Sequence, residues 1–341
     1  MFGLQRVLEL VGVVLQAITP FEIPLEEIQT IFDTAEDLGL EWRIVNEASQ
    51  RRVLEYIPES VDPNPALILL FHGFNGNPAT LFTAGVPVFA GLLEFADNKH
   101  FVLMAPEATG LVGDTTIRSW NDYGRPLLNP DVDDVAFVSE VIDWAVGEHN
   151  VDRDRVFAAG VSGGGSMIYR LLQERSDLVA AAAPLISLLP RDELPPPVQY
   201  TPTPIITVAG TRDNSFFFNG GAAPFYVSRS FADTVSRMAS LNQATSAVPT
   251  VSTNTQDLSD ISSPFIRQDD CTVDAIQYVP VSSGGAPLEA YVVQGMGHQV
   301  PGTSLYTLYR PIHPFIFGPV RCDTGFDFMA TMVEFFERYG L

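Results

Sequence analysis

The residue best placed to do chemistry in this 341-residue chain is a serine set among small residues, Gly160-Val161-Ser162-Gly163-Gly164. Residues 155–159 form a compact apolar run that reads as a buried strand, and Met167, Ile168, Leu171 and Leu172 follow at helical spacing. Strand, G-x-S-x-G, helix is the context of a nucleophile elbow, a sharp turn that lifts a serine hydroxyl clear of a sheet edge. Small neighbours let the backbone fold back. The N-terminus of the next helix then offers N–H groups and its dipole to an oxyanion.

A serine hydroxyl is a weak nucleophile and needs a base and an acid that orients the base. Reactive groups of open α/β sheets gather at the carboxyl ends of strands, so acids and histidines just past an apolar run are the candidates. Asp213 stands four residues beyond Ala209, the end of one such run, and His298 stands five beyond Val293, the end of another. Ser162, Asp213 and His298 follow one another in the Ser…Asp…His order of α/β-hydrolases, 51 and 85 residues apart. They are the candidate catalytic triad. Of the other histidines, His100 and His149 have charged or polar neighbours and read as surface residues, while His313, in an irregular proline-bearing stretch, is the rival base. His72 closes the apolar run 66–71, and in His72-Gly73-Phe74 its expected work is to brace an oxyanion loop. The backbone N–H groups of Gly163 and Phe74 are the expected oxyanion hole, because such donors must be fixed before charge develops.

The elements that must hold these groups follow from pattern. Residues 42–57 alternate and read as a hairpin; 66–71 and 101–105 read as buried strands; 134–146 reads as a helix capped by Asp133 or Asp134. Residues 178–189 are apolar, 190–204 form a proline-rich surface loop, 205–209 a strand, and 225–241 has helical character. Residues 288–293 read as a strand and 326–339 as a last helix. Strands alternating with helices predict an α/β fold, a doubly wound, mostly parallel sheet with helices on both faces. Residues 1–40 are expected to be a helical N-terminal extension and 41–341 a single catalytic domain, with loop or lid insertions near 242–270 and 299–321.

The composition excludes some partners. Net charge is −22, from 19 Lys+Arg against 41 Asp+Glu, which argues against nucleic acid and anionic membranes. Lys99 is the single lysine, a bias that a salty habitat and a GC-rich genome both produce. Cys271 and Cys322 allow one disulfide or two buried thiols. No 18-residue uncharged apolar run is present, so no transmembrane helix is expected. Arg6 before the apolar residues 11–15 hints at a signal peptide, but Glu9 and a poor cleavage pattern favour a helix of the mature chain. There is no H-E-x-x-H or Cys/His cluster, so no metal or organic cofactor is expected. The expected partner is a small or oligomeric ester.

With these motifs in place the chain resembles the poly(3-hydroxybutyrate) depolymerases and feruloyl esterases of the α/β-hydrolase superfamily, close to carbohydrate esterase family 1. The resemblance runs from about Arg52 to the C-terminus. It is carried by His72-Gly73-Phe74, Ser119-Trp120-Asn121-Asp122, Asp133-Asp134-Val135-Ala136-Phe137, the segment 160–164, the segment 210–213, and Gly297-His298 with Pro301-Gly302. It implies serine carboxylic-ester hydrolysis through the triad named above, places Trp120 and His72 on the substrate side of the site, and weakly favours an extracellular or periplasmic location. It departs from the family at Val300, where a tryptophan is common, and at Gly163, where asparagine or alanine is common. Both flank the pocket, so the family's substrate does not carry over. A serine peptidase or acyltransferase with the same triad, and an inactive binding protein, are the other readings.

Overall fold

The computed structural model describes residues 34–83, 88–111, 114–124, 131–191, 199–222, 226–246, 250–253, 272–302 and 326–341. Most of the expected helical extension (1–33), His313, both cysteines, residues 254–270 and residues 303–325 lie outside them. Of the extension, Leu38, Gly39 and Leu40 donate backbone hydrogen bonds to Thr34, Glu36 and Ala35, forming turns rather than helix.

The hairpin β1 (Glu41–Asn46) and β2 (Arg51–Tyr56) leads into β3 (Leu67–Phe71) and β4 (Val102–Pro106), and helix α1 (Gly91–Lys99) lies between the last two. Next come α2 (Asp134–His149), β5 (Val156–Val161), α3 (Gly163–Arg175), β6 (Ala181–Leu185), β7 (Ile205–Gly210) and α4 (Phe231–Leu241). The chain continues through β8 (Ala244–Ser246), β9 (Thr250–Thr253), β10 (Val273–Pro280), β11 (Leu288–Val293) and α5 (Phe328–Glu337). Among the described residues these strands form one eleven-stranded sheet, ordered β1-β2-β4-β3-β5-β6-β7-β11-β10-β8, with β9 also paired to β10. The central run from β4 to β11 is parallel; both flanks are antiparallel.

Both faces are covered, which is why the central strands read as unbroken apolar runs. Successive side chains of β3 point to opposite sides. Leu67, Leu69 and Phe71 pack in the core layer that holds Val138 and Ile142 of α2, Met167 and Leu171 of α3, and Val235 of α4. Ile68 and Leu70 enter the other layer, with Leu92 of α1 and Phe328, Met332 and Phe336 of α5. Asp133, not Asp134, caps α2 by accepting from the Ala136 N–H at 2.9 Å.

Two expectations need correction. Residues 225–241 are not helical throughout: Val227–Ser228 pairs with Gly221–Ala222 in a small ribbon, and the helix starts only after Ser230 caps it. The segment expected to leave the sheet at Asn242 begins as sheet, because Ala244–Ser246 and Thr250–Thr253 pair antiparallel with Val273–Pro280. Asn242 itself is fully buried, and its carboxamide bonds the Tyr200 hydroxyl and both backbone groups of Thr203. Polar Ser/Thr alternation is what an edge pair facing water requires, and it resembles a loop in sequence.

Candidate active site

The parallel strands β3, β5, β7 and β11 deliver His72, Ser162, Asp213 and His298 to one edge of the sheet, as the topology rule for open α/β sheets requires. Ser162 sits between β5 and α3 with φ 55° and ψ −119°, a conformation an L-residue adopts only under strain. It is the N-cap of α3, yet its hydroxyl makes no capping bond. Serine at this position ordinarily spends its oxygen on the first turn; here the strained backbone turns it away and leaves it for chemistry. The turn is held by the Ser162 N–H on the Leu185 carbonyl at 3.0 Å and by the Ser166 N–H on the Ser162 carbonyl at 3.0 Å. It also requires close approach: a Cβ on Gly164 would lie 2.1 Å from the Phe71 carbonyl oxygen.

Asp213 and His298 meet directly. His298 Nδ1 lies 2.6 Å from Asp213 Oδ2, with both side chains almost fully buried. The second carboxylate oxygen accepts the N–H groups of Ser215 at 2.7 Å and Phe216 at 2.8 Å. Both oxygens are therefore occupied and the carboxylate plane is fixed. This geometry assigns the proton to Nδ1 and leaves Nε2 as the basic nitrogen. The Phe216 ring stacks on the imidazole at 5.8 Å between centroids and 14° between planes. The strand β7 that leads to Asp213 is separated from β5 by β6, about 10 Å of sheet, a gap that the His298 loop is long enough to cross.

The His72-Gly73-Phe74 loop abuts the serine: a Cβ on Gly73 would lie 3.4 Å from Ser162 Cβ and 3.8 Å from its Oγ. His72 is fully buried. Its Nδ1–H donates to the Gly73 carbonyl at 2.8 Å and its Nε2 accepts the Ala108 N–H at 3.1 Å. Burial lowers its pKa to about 4, only partly offset by the bond to Gly73, so the ring is neutral and both bonds stand. The Gly73 carbonyl also accepts from Gly76 N–H at 3.1 Å. Because a trans peptide points its N–H opposite its C=O, holding that carbonyl aims the Phe74 N–H the other way. The Gly163 N–H, at the first position of α3, is one of the donors a helix start leaves without an intrahelical partner.

Trp120 is 1% exposed, which places it in the core beneath the loop rather than on an open pocket wall. Its indole N–H donates to the His72 carbonyl at 2.8 Å, and its ring packs on Phe71 and His72. His100 and His149 lie away from this edge, bonded to the Ser60 carbonyl and to Glu55. Sequence reasoning missed Phe216 and the two N–H groups that grip Asp213, although an aspartate followed two and three residues on by turn N–H donors is a recognisable Asx pattern. It also missed Asp134, fully buried, which pairs with Arg51 at 2.7 Å and accepts the Asn121 N–H at 2.7 Å. Among the described residues no three His, Cys, Asp or Glu side chains gather as a metal site, and no helix is long and apolar enough to cross a membrane.

Comparison with known proteins agrees with this architecture. The chain is 28% identical over 164 residues to the bifunctional acetylxylan esterase/xylanase XynS20E of Neocallimastix patriciarum, covering 48% of this chain and 22% of that protein. It is 38% identical over 159 residues to NocK of Nocardia uniformis subsp. tsuyamanensis, covering 45% and 42%. The alignments thus span less than half the length of either relative. Among solved structures, the acetyl xylan esterase from Aspergillus awamori superposes with a TM-score of 0.50 at 13% identity, over 81% of this chain and 98% of that one, a likeness of fold. Residues 68–311 match the alpha/beta hydrolase family, and the chain belongs to it.

Proposed function

We propose that the chain is a serine carboxylic-ester hydrolase working through an acyl-enzyme. The observation that carries this reading is the strained, uncapped Ser162 on the same sheet edge as the buried His298–Asp213 pair. Ser162 Oγ attacks the ester carbonyl while His298 Nε2 takes its proton. Asp213 holds the Nδ1 proton and stabilises the imidazolium that forms. The N–H groups of Phe74 and Gly163 receive the oxyanion. Collapse of the tetrahedral intermediate expels the alcohol, which takes the proton from His298, and water activated by the same nitrogen then releases the acid. Every step uses this chain's own residues, and no cofactor is called for.

The names of the relatives favour esters over amides and point to acyl groups carried on polysaccharide. The resemblance of the motifs adds feruloyl and hydroxyalkanoate esters to the candidates. His72 and Trp120 act from beneath the oxyanion loop in this reading, and the pocket wall falls to other residues.

Fluorophosphonate labelling with mass mapping tests the nucleophile: the label should fall on Ser162 and disappear in Ser162→Ala. His298→Ala should lose turnover, and His313→Ala should keep it; the reverse would move the base. Turnover of acetylated xylan, methyl ferulate and hydroxybutyrate oligomers, set against peptide anilides, ranks the substrates. Preferred cleavage of the anilides would replace the esterase reading with a peptidase.

A further inference from the structure

Residues 119–124 touch both halves of the site from one side of the molecule. At one end, the Trp120 indole N–H holds the His72 carbonyl at 2.8 Å. The same stretch is backed by the Asn75 N–H on the Arg118 carbonyl at 2.8 Å and the Ser119 N–H on the Thr109 carbonyl at 3.1 Å. The peptide that Trp120 grips immediately precedes the Gly73–Phe74 peptide of the oxyanion loop.

At the other end, Gly124 lies flat against Tyr226. A Cβ there would stand 1.8 Å from Tyr226 Cε2 and 2.2 Å from Cζ. Tyr226, itself buried, packs on Phe216 at 4.6 Å between ring centroids, and Phe216 is the ring stacked on His298. The middle of the segment is anchored: the Asn121 N–H goes to buried Asp134, its carboxamide to the Val132 carbonyl at 2.9 Å, and its own carbonyl accepts from Arg170 of α3. A stiff, doubly anchored segment with one contact under the oxyanion loop and one behind the histidine can set the separation between them.

We propose that residues 119–124 are a single brace for the catalytic centre, in which Trp120 positions the oxyanion loop through its N–H and Gly124 seats the His298 ring through Tyr226 and Phe216. Trp120 and Gly124 are positioning residues; neither touches the reacting atoms. The inference rests on the ester-hydrolase reading above. The two ends make separable demands. Losing the Trp120 N–H loosens the oxyanion donor and leaves the Asp213–His298 bond alone. Adding a methyl at Gly124 displaces Tyr226 and Phe216 and disturbs that bond while sparing the loop.

The test uses p-nitrophenyl acetate kinetics, normalised by fluorophosphonate titration of competent sites, and the low-field proton resonance of His298 Nδ1–H bonded to Asp213. Trp120→Phe should lower kcat about tenfold with KM within about twofold, a loss confined to the transition state, and leave the resonance in place. Should that variant fail to fold, benzothienylalanine at 120, which keeps the shape of the indole without its N–H, should give the same pattern. Gly124→Ala should lower kcat by a similar factor and shift or broaden the resonance; Phe216→Leu reports on the same relay if that variant does not fold. Folded variants with parental kcat and an unmoved resonance would overturn the brace, and so would a Trp120 variant that moves the resonance while Gly124→Ala does not. Ser162→Ala in the same assay separates the two ideas. If it is inactive while the brace variants match the parent, the brace alone falls; if it is active, the hydrolase reading falls.

Discussion

Gly210 is pressed against Met296: a Cβ on the glycine would lie 2.2 Å from the Met296 carbonyl oxygen and 2.6 Å from that of Gly297. This contact closes the loop carrying Asp213 onto the loop carrying His298. It is stitched by the Arg212 N–H on the Met296 carbonyl at 2.9 Å, the Thr211 N–H on the Val293 carbonyl at 3.1 Å, and the Gly295 N–H on the Thr211 hydroxyl at 2.8 Å. The obstacle is backbone, not a side chain that could swing away. Gly210→Ala should therefore spread the loops, lengthen the 2.6 Å Asp213–His298 bond, and cost roughly 1–3 kcal/mol of stability. Activity should fall on the order of a hundredfold, because small misplacements of a catalytic base are expensive. Urea denaturation and ester turnover check this; a variant as active as the parent would show that the glycine is there for another reason.

The strain at Ser162 makes a separate prediction. Its φ of 55° with ψ −119° costs about 1–3 kcal/mol in a non-glycine residue. Ser162→Ala removes the hydroxyl and keeps the strain; Ser162→Gly removes both. Glycine also loses more chain entropy on folding, roughly 0.5–1 kcal/mol. The glycine variant should still be the more stable of the two inactive proteins, by about 1 kcal/mol. A difference of that size is resolved by chemical denaturation. If alanine proves the more stable, the elbow is not strained.

Much of the site was legible in the sequence because its chemistry needs particular residue types at strand ends. Ser162, Asp213 and His298 each follow an apolar run, and a run of five to six buried residues can hardly be anything but a central strand. The flanks were harder. The strand Val273–Pro280 pairs on both sides but faces water over much of its length, so its pattern mixes with that of a loop. The position of Trp120 was misjudged for a related reason. A tryptophan beside polar residues looks like a pocket wall, whereas its polar neighbours Ser119, Asn121 and Asp122 turn to backbone and buried carboxylate partners. What no periodicity reports is which long-range contact a side chain makes, as with Gly124 on Tyr226.

His72 predicts a pH effect on stability. Its pKa is about 4 in the folded protein, chiefly because burial disfavours the imidazolium, against 6.5 for the exposed group. Above pH 6.5 the ring is neutral in both states and its contribution is complete. Below that, the unfolded chain takes up a proton that the folded one refuses, so this contribution is lost as pH falls, until the folded ring also protonates near pH 4. The loss over that window is roughly 3 kcal/mol at about 1.4 per pH unit. Measured as the stability gap between parent and His72→Asn, which does not titrate there, the gap should narrow from pH 7 to pH 4. A gap independent of pH would mean that His72 is solvated.

Asp134 is the charge most deeply placed in the structure that the chemistry does not use. One oxygen pairs with the Arg51 guanidinium at 2.7 Å and the other takes the Asn121 N–H at 2.7 Å. Arg51 is mostly buried too; it lies over the Phe137 ring at 3.7 Å and bonds the Glu107 carbonyl at 3.2 Å. Removing one member of such a pair leaves the other charge buried without compensation, which costs about 3–5 kcal/mol. Asp134→Ala should therefore destabilise severely. Arg51→Met combined with Asp134→Ala should recover a substantial part of the loss, since the stranded guanidinium is gone. The Asn121 N–H loses its acceptor in both variants, so activity should stay below that of the parent even where stability returns. A double-mutant cycle by urea denaturation, with turnover measured on each folded variant, reads both quantities. Additive losses across the cycle would show that the pair contributes nothing beyond its separate side chains.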